Sequence, residues 1–308
     1  MSPVLEFLPA EVSIFEVGMR DGLQNQPDYL PAEAKIELIN LLSETGLQKL
    51  EITSFVSPKW IPQLKDNLEV ATGIKRKPGV VYSALVPNEK GLEDALTAGM
   101  EEIAVFLAVS ETLNRKNINK TTDEALEAVN AVTSGAIAKG IRVRGYLSTV
   151  FGCPFEGEID MGRVAELTQE LLNTGAYEVS LGDTTGVGNP LQVRKALEYL
   201  RTKLDLNKIA LHFHDTRGLG LANVLVGLDL GVTTYDSSFG GLGGCPYAKG
   251  ASGNIATEDL VYLLHSMGIK TGVDLEKLMA CSRRIEELMG TQLPSRYLRA
   301  NAGCKTNG

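Results

Sequence analysis

The 308-residue chain has three histidines, and two of them, His212 and His214, stand in the run LHFHD. Residues i and i+2 of a strand share a face, so an HxH pair at a strand end turns two imidazoles toward one point. That arrangement suits a metal pair, and it also suits two core or interface histidines. Asp21, in EVGMRDGLQN, adds a carboxylate just behind another apolar run. RDG is turn chemistry too, but across a barrel from HxH it gives a two-His, one-carboxylate set. Oxygen and imidazole donors fit a divalent metal ion, Mg²⁺ or Mn²⁺, rather than a cysteine-rich structural zinc.

Other residues carry possible chemistry. Cys245 lies in GGLGGCPYAKGASGN (240–254), a glycine-rich stretch that suits neither helix nor strand. A thiol on a mobile loop can serve as acid or base; the alternative is a backbone constraint from Pro246. Asp183 ends YEVSLGD and reads either as a neighbour of the metal ligands or as a turn or N-cap residue. Glu51, inside KLEITSF, points a charge into the fold and needs a partner; Arg20 is the expected one. Glu16, inside VSIFEVG, poses the same problem. His265, in the helical pattern VYLLHSMG, reads as structural.

These residues need a scaffold, and alternation supplies it. Strand-like runs recur at 12–18, 49–55, 80–86, 102–108, 142–148, 177–183, 208–215 and 233–240. Amphipathic helical patterns at 32–46, 122–140, 161–175 and 190–204 lie between them, each closing on or near glycine or asparagine. Eight runs with helices between them predict an α/β (β/α)8 TIM barrel with a C-terminal helical extension. An open doubly wound sheet is the rival, but no GxGxxG follows the first run. Barrels carry chemistry on the loops after the strands, and the residues above stand late in their runs. The expected organisation is one catalytic domain over 1–308. The barrel and glycine loop take 12–255, flanking helices 256–290, and a poorly ordered tail 291–308.

Composition excludes other classes. A net charge of −8 argues against nucleic acid. No stretch approaches eighteen apolar residues and no signal peptide opens the chain, so no membrane span is expected. Cys153, Cys245, Cys281 and Cys304 form no CxxC pair. Reduced thiols in a cytoplasmic protein are the reading that fits.

GLGGCPYAKGASGNIATED resembles the signature loop of 3-hydroxy-3-methylglutaryl-CoA lyases. EVGMRDGLQNQ, EITSFVSPKWIPQ, VRGYLSTVFGCPFEG, EVSLGDTTGVGNP and HFHDT agree in the same order, over about residues 12 to 275. The cysteine loop is specific; RDG with HxH is shared with Claisen-type synthases. The resemblance implies metal-dependent cleavage of an acyl-CoA thioester. It implies metal ligands at Asp21, His212, His214 and Asn254, and catalytic roles for Arg20, Asp21, Cys245, Asp183 and Glu51. Substrate contacts are implied at Arg20, Gln24, Ser54, Ser180, Gly243 and Gly244, and a homodimer is implied as the assembly. The sequence departs from the family at Met19, Pro27, Arg217, Leu219–Gly220 and Phe239–Gly240, near the expected barrel mouth. These departures bear on the acyl group. Hydroxymethylglutaryl-CoA, giving acetyl-CoA and acetoacetate, is the expected substrate, and citramalyl-CoA the alternative. Arg217 is either a carboxylate partner or a solvated first-turn residue.

Overall fold

The computed structural model describes residues 8–244 and 253–301. Eight parallel strands close into a barrel in chain order. They are β1 (Ser13–Glu16), β2 (Lys49–Ser54), β3 (Val81–Leu85), β4 (Glu102–Ala108), β5 (Arg142–Ser148), β6 (Glu178–Asp183), β7 (Ile209–Phe213) and β8 (Thr234–Ser237). β1 pairs with β2 and also with β8, Ser13 opposite Thr234 through Glu16 opposite Ser237, so closure leaves no free edge.

Around the barrel lie α1 (Ala32–Ser43), α2 (Asn67–Gly73), α3 (Glu89–Thr97), α4 (Glu111–Ile118), α5 (Thr122–Ile137), α6 (Met161–Thr174), α7 (Pro190–Leu200) and α8 (Gly220–Asp229). Local sequence sets their ends. Thr121 and Glu124 form a reciprocal capping box before α5. Asn189 caps α7, whose first residue is Pro190. α6 buries Val164, Leu167 and Leu171 at helical spacing and stops at Gly175, whose φ of +116° favours glycine.

Aliphatic side chains fill the space between strands and helices. The barrel interior is different. Arg144 of β5, fully buried, reaches Asp236 of β8 across it. Charged residues therefore occupy space that branched aliphatics fill in many barrels.

The C-terminal extension contains α9 (Thr257–Ser266), α10 (Leu275–Met289) and α11 (Arg296–Ala300). The last of these lies within 291–308, the stretch expected as a poorly ordered tail, and gives residues 296–300 of it a helix; residues 302–308 lie outside the described residues. Ser295 caps α11 at 3.1 Å from Leu298 N. Asp259 accepts from Ser295 Oγ at 2.8 Å, Arg296 N at 3.0 Å and Tyr297 N at 2.8 Å. These partners are set by tertiary contact, which the sequence does not display. Cys304 lies outside the described residues. Among the described residues no helix is long and apolar enough to cross a membrane.

Candidate active site

β1 gives way to a π-helical turn at Gly18–Gly22. Val17 O accepts from the backbone N–H of Arg20, Asp21 and Gly22 at 3.1, 2.8 and 3.2 Å. Gly18 permits the turn, because a Cβ there would lie 2.5 Å from the Phe239 ring. The turn delivers Arg20 and Asp21 to the C-terminal mouth of the barrel, and β7 delivers His212, with His214 just beyond its end.

One ligand atom from each of Asp21, His212 and His214 lies within 4.8 Å of the others. Asn254 joins them: its Nδ2 donates to Asp21 Oδ2 at 2.9 Å and to Leu242 O at 3.3 Å. His214 Nδ1 and Asn254 Oδ1 are buried and without a hydrogen-bond partner among the described residues. Orphaned buried acceptors are costly, and a cation placed among them would satisfy them. The protonation states agree with that use. Burial pushes the Asp21 carboxyl up, but Arg20 and then the histidines hold it down to about 2. Burial, with His212 beside it, takes His214 down to about 4, so the ring is neutral at neutral pH and one nitrogen keeps a free lone pair. The donor set of carboxylate, imidazoles and amide oxygen fits a divalent ion.

Arg20 sits against this cluster. Its Nε donates to Glu51 Oε2 at 2.5 Å and its Nη1 to Asp21 Oδ1 at 2.5 Å. The guanidinium lies 5.3 Å from the centroid of the Tyr146 ring. Burial opposes its charge, and Glu51 and Asp21 outweigh burial. The result is a fixed cation at the mouth, beside the ligand set. Glu51 answers as expected for a buried strand charge.

The ends of the glycine loop meet here. Gly243 takes a φ of +147°, and a Cβ on it would come within 2.9 Å of Asn254 Nδ2. Gly253 packs on Gly244, where a Cβ would meet Gly244 N at 2.7 Å. Asp215 N donates to Gly253 O at 2.7 Å. Cys245, next in sequence to Gly244, lies outside the described residues.

The HMGL-like family model matches residues 11–285. The hydroxymethylglutaryl-CoA lyase YngG of Bacillus subtilis is 55% identical over 290 residues, covering 94% of this chain and 97% of that one. The mitochondrial hydroxymethylglutaryl-CoA lyase of Bos taurus is 50% identical over 297 residues, covering 96% and 91%. This chain belongs to the hydroxymethylglutaryl-CoA lyase family. The crystal structure of the B. subtilis HMG-CoA lyase superposes with a TM-score of 0.94 at 55% identity, over 95% of this chain and 98% of that one. An Acinetobacter baumannii HMG-CoA lyase, solved with coenzyme A and 3-methylmalate, gives 0.90 at 41% identity, over 97% of each chain.

Within this family member the remaining sequence-derived residues divide. Asp183 turns both carboxylate oxygens to its own loop, accepting from Val187 N at 3.0 Å and Gly188 N at 2.9 Å. Burial raises its pKa, and the two N–H groups pull against that. Asp183 therefore builds a turn, one of its two readings. Ser180 donates to Asp236 Oδ2 at 2.7 Å, and Ser54 donates to Leu85 O at 3.2 Å. Both serines are buried with protein partners. Gln24 is half-buried just after the π-helical turn. The nearby Gln26 donates to Gly22 O at 3.2 Å and Gly243 O at 3.3 Å.

Four of the departures from the family pattern receive local explanations. Phe239 is fully buried on Gly18, and Gly240 takes a φ of +65° against Leu293. Met19 is buried in the core. Arg217 is exposed and donates to Thr185 O at 2.9 Å and Gly186 O at 3.0 Å. It ties two loops together. Two residues of the site escape sequence reasoning, Arg144 and Asp236. A charged residue on a strand was the available signal, but neither partner could be named from the sequence.

Proposed function

We propose that this protein cleaves 3-hydroxy-3-methylglutaryl-CoA to acetyl-CoA and acetoacetate by retro-Claisen chemistry. The observation that carries the reading is the placement of Arg20, clamped by Glu51 and Asp21, directly beside the Asp21–His212–His214 cluster. A divalent ion, Mg²⁺ or Mn²⁺, held by Asp21, His212, His214 and Asn254 would acidify the C3 hydroxyl of the substrate. Asp21, held ionised, suits ligation better than proton transfer. Asp183, whose pKa burial raises, is the better base for that hydroxyl proton. As the proton leaves, the C3–O bond becomes a carbonyl and the C2–C3 bond electrons pass to the thioester as an enolate. Arg20 supplies the fixed positive charge for the enolate oxygen. The thiol of Cys245 gives its proton to C2 and completes acetyl-CoA.

Three of the family departures, Met19, Phe239 and Gly240, fall on packed positions rather than open ones. Their packing supports the hydroxymethylglutaryl substrate over a changed acyl group. A cytoplasmic homodimer acting in leucine degradation completes the proposal. Purified protein with Mg²⁺ or Mn²⁺, offered hydroxymethylglutaryl-CoA and citramalyl-CoA separately, tests it. Acetyl-CoA release from the first substrate is expected; release from citramalyl-CoA alone overturns the substrate assignment.

A further inference from the structure

We propose that Asp236 is a positioning residue that fixes the tautomer and orientation of His212, placing the proton on Nδ1 and leaving Nε2 to the metal. The inference rests on the metal-site reading above and adds a part that reading does not contain.

Asp236 and His212 are register partners on the adjacent strands β8 and β7. Neighbours in register share a face, so both side chains enter the barrel together. His212 Nδ1 lies 3.2 Å from Asp236 Oδ2. The other contacts of Asp236 decide which atom holds the proton. Arg144 Nη2 donates to Oδ1 at 2.7 Å, Arg144 Nη1 to Oδ2 at 3.3 Å, and Ser180 Oγ to Oδ2 at 2.7 Å. A carboxylate paired with a guanidinium can only accept. The imidazole nitrogen facing it must therefore donate, and the neutral ring then has its lone pair on Nε2.

The bracket is buried inside the barrel. Arg144 has no solvent exposure. Its Nε is held by Glu178 at 2.8 Å, and its guanidinium lies 4.1 Å from the centroid of the Phe15 ring. It reaches His212 through Asp236, and it also lies 5.0 Å from the centroid of the Tyr146 ring that faces Arg20. Ser180, implied by family resemblance to touch substrate, here braces the same carboxylate. Ligating histidines in general lean on a carboxylate or carbonyl behind them, and loss of that partner costs about 10–100-fold in metal affinity.

Asp236→Asn is the discriminating substitution, because the surrounding donors dictate how an amide must sit. Arg144 can approach only its oxygen, which places the NH₂ where Oδ2 was, against His212 Nδ1. The proton then moves to Nε2 and blocks the ligating position. Two measurements test this, both with the full chain. Long-range ¹H–¹⁵N spectra of metal-free wild-type protein at alkaline pH should show His212 protonated on Nδ1. With three histidines in the chain, His214→Gln and His265→Gln variants complete the assignment. Asp236→Asn should show the opposite tautomer, and its Mn²⁺ dissociation constant by titration calorimetry should rise about 10–100-fold. A wild-type His212 protonated on Nε2 overturns the proposal, as does a folded Asp236→Asn with wild-type Mn²⁺ affinity. A purely structural role would lower stability and leave tautomer and affinity unchanged. If Asp236→Asn does not fold, the wild-type spectrum decides alone. Wild-type protein that binds no Mn²⁺ would fail the metal reading, while the tautomer still judges Asp236.

Discussion

Arg20 holds two carboxylates at once, and that double contact defines what a substitution there removes. Lysine has one point charge and no planar fork, so it cannot bridge Glu51 and Asp21 in the same geometry. Arg20→Lys should lower kcat by about 100–1,000-fold, the range for loss of a preorganised donor to a developing oxyanion. Mn²⁺ affinity should stay near wild type, because Asp21 keeps Asn254 as a partner. Steady-state kinetics beside calorimetry checks the split, and an equal loss of both would place Arg20 in metal binding instead. Cys245→Ala should behave alike, with metal content kept and turnover lowered by orders of magnitude. His214→Ala should do the reverse and lose the ion first. The residues of this site differ in how legible they were. HxH and RDG declare themselves by spacing within one segment. Arg144 and Asp236 stand 92 residues apart, and only barrel closure makes them partners. Without the closed barrel a charge on a strand predicts that a partner exists, not which residue it is.

At the scale of elements, the turn from β1 into Gly18–Gly22 rests on a buried acid pair. Glu16 Oε1 accepts from Gly18 N at 2.8 Å and Phe239 N at 2.9 Å, and Glu16 Oε2 accepts from Thr257 Oγ1 at 2.6 Å. Glu258 accepts from Gly240 N and from Ser282 Oγ. The partner expected for Glu16 is thus a set of neutral donors that ties three segments together. Burial raises Glu16 to about 7 and Glu258 to about 8, from 4.5. The folded chain therefore keeps protons that the unfolded chain has released. Their stabilising effect is full below about pH 4.5 and is lost as pH rises through the folded values. His214, depressed to about 4, works the other way but is neutral in both states above about pH 7. Denaturant midpoints should fall from about pH 7 to 8.5, and Glu258→Gln should flatten the decline. A wild-type slope retained in Glu258→Gln would exclude the pair as its source. Strand and helix order was readable because alternation of period 2 with period 3.6 needs only local pattern. α8 was not, since its run GLANVLVGLD is apolar on both sides, with Leu221, Leu225 and Val226 half-buried opposite the buried Val224 and Leu228.

At the scale of the whole molecule, the barrel's far end is closed by contacts between segments distant in the chain. Val12 N donates to Lys270 O at 2.9 Å and Lys270 N to Ala10 O at 3.0 Å, so the entry to β1 is bridged to the segment after α9. Asp274 N donates to Thr45 O at 2.7 Å, joining the start of α10 to the end of α1. At the other end α11 is docked by Asp259, through the hydroxyl and two N–H groups already described, and Arg296 pairs with Asp215 at 3.4 Å. Tyr262 of α9 stacks on Tyr297 of α11 with centroids 4.7 Å apart. Leu293, just before α11, packs against Gly240, the first residue of the glycine-rich stretch, in β8's exit turn. The tail thus supports the loop's first anchor, a link that the polar and basic composition of 291–301 did not suggest. Asp259→Ala removes three hydrogen-bond acceptances at once and leaves the N-terminus of α11 without its charge partner. Stability should fall by about 1–3 kcal/mol. Limited proteolysis should then cut near 291–301 in the variant while the wild-type chain resists. Mn²⁺ affinity should hold, because no metal donor touches Asp259, and KM should rise if the loop anchor loosens with the tail. A variant as protease-resistant as wild type would show that aromatic stacking and Leu293 burial dock the tail without the acid.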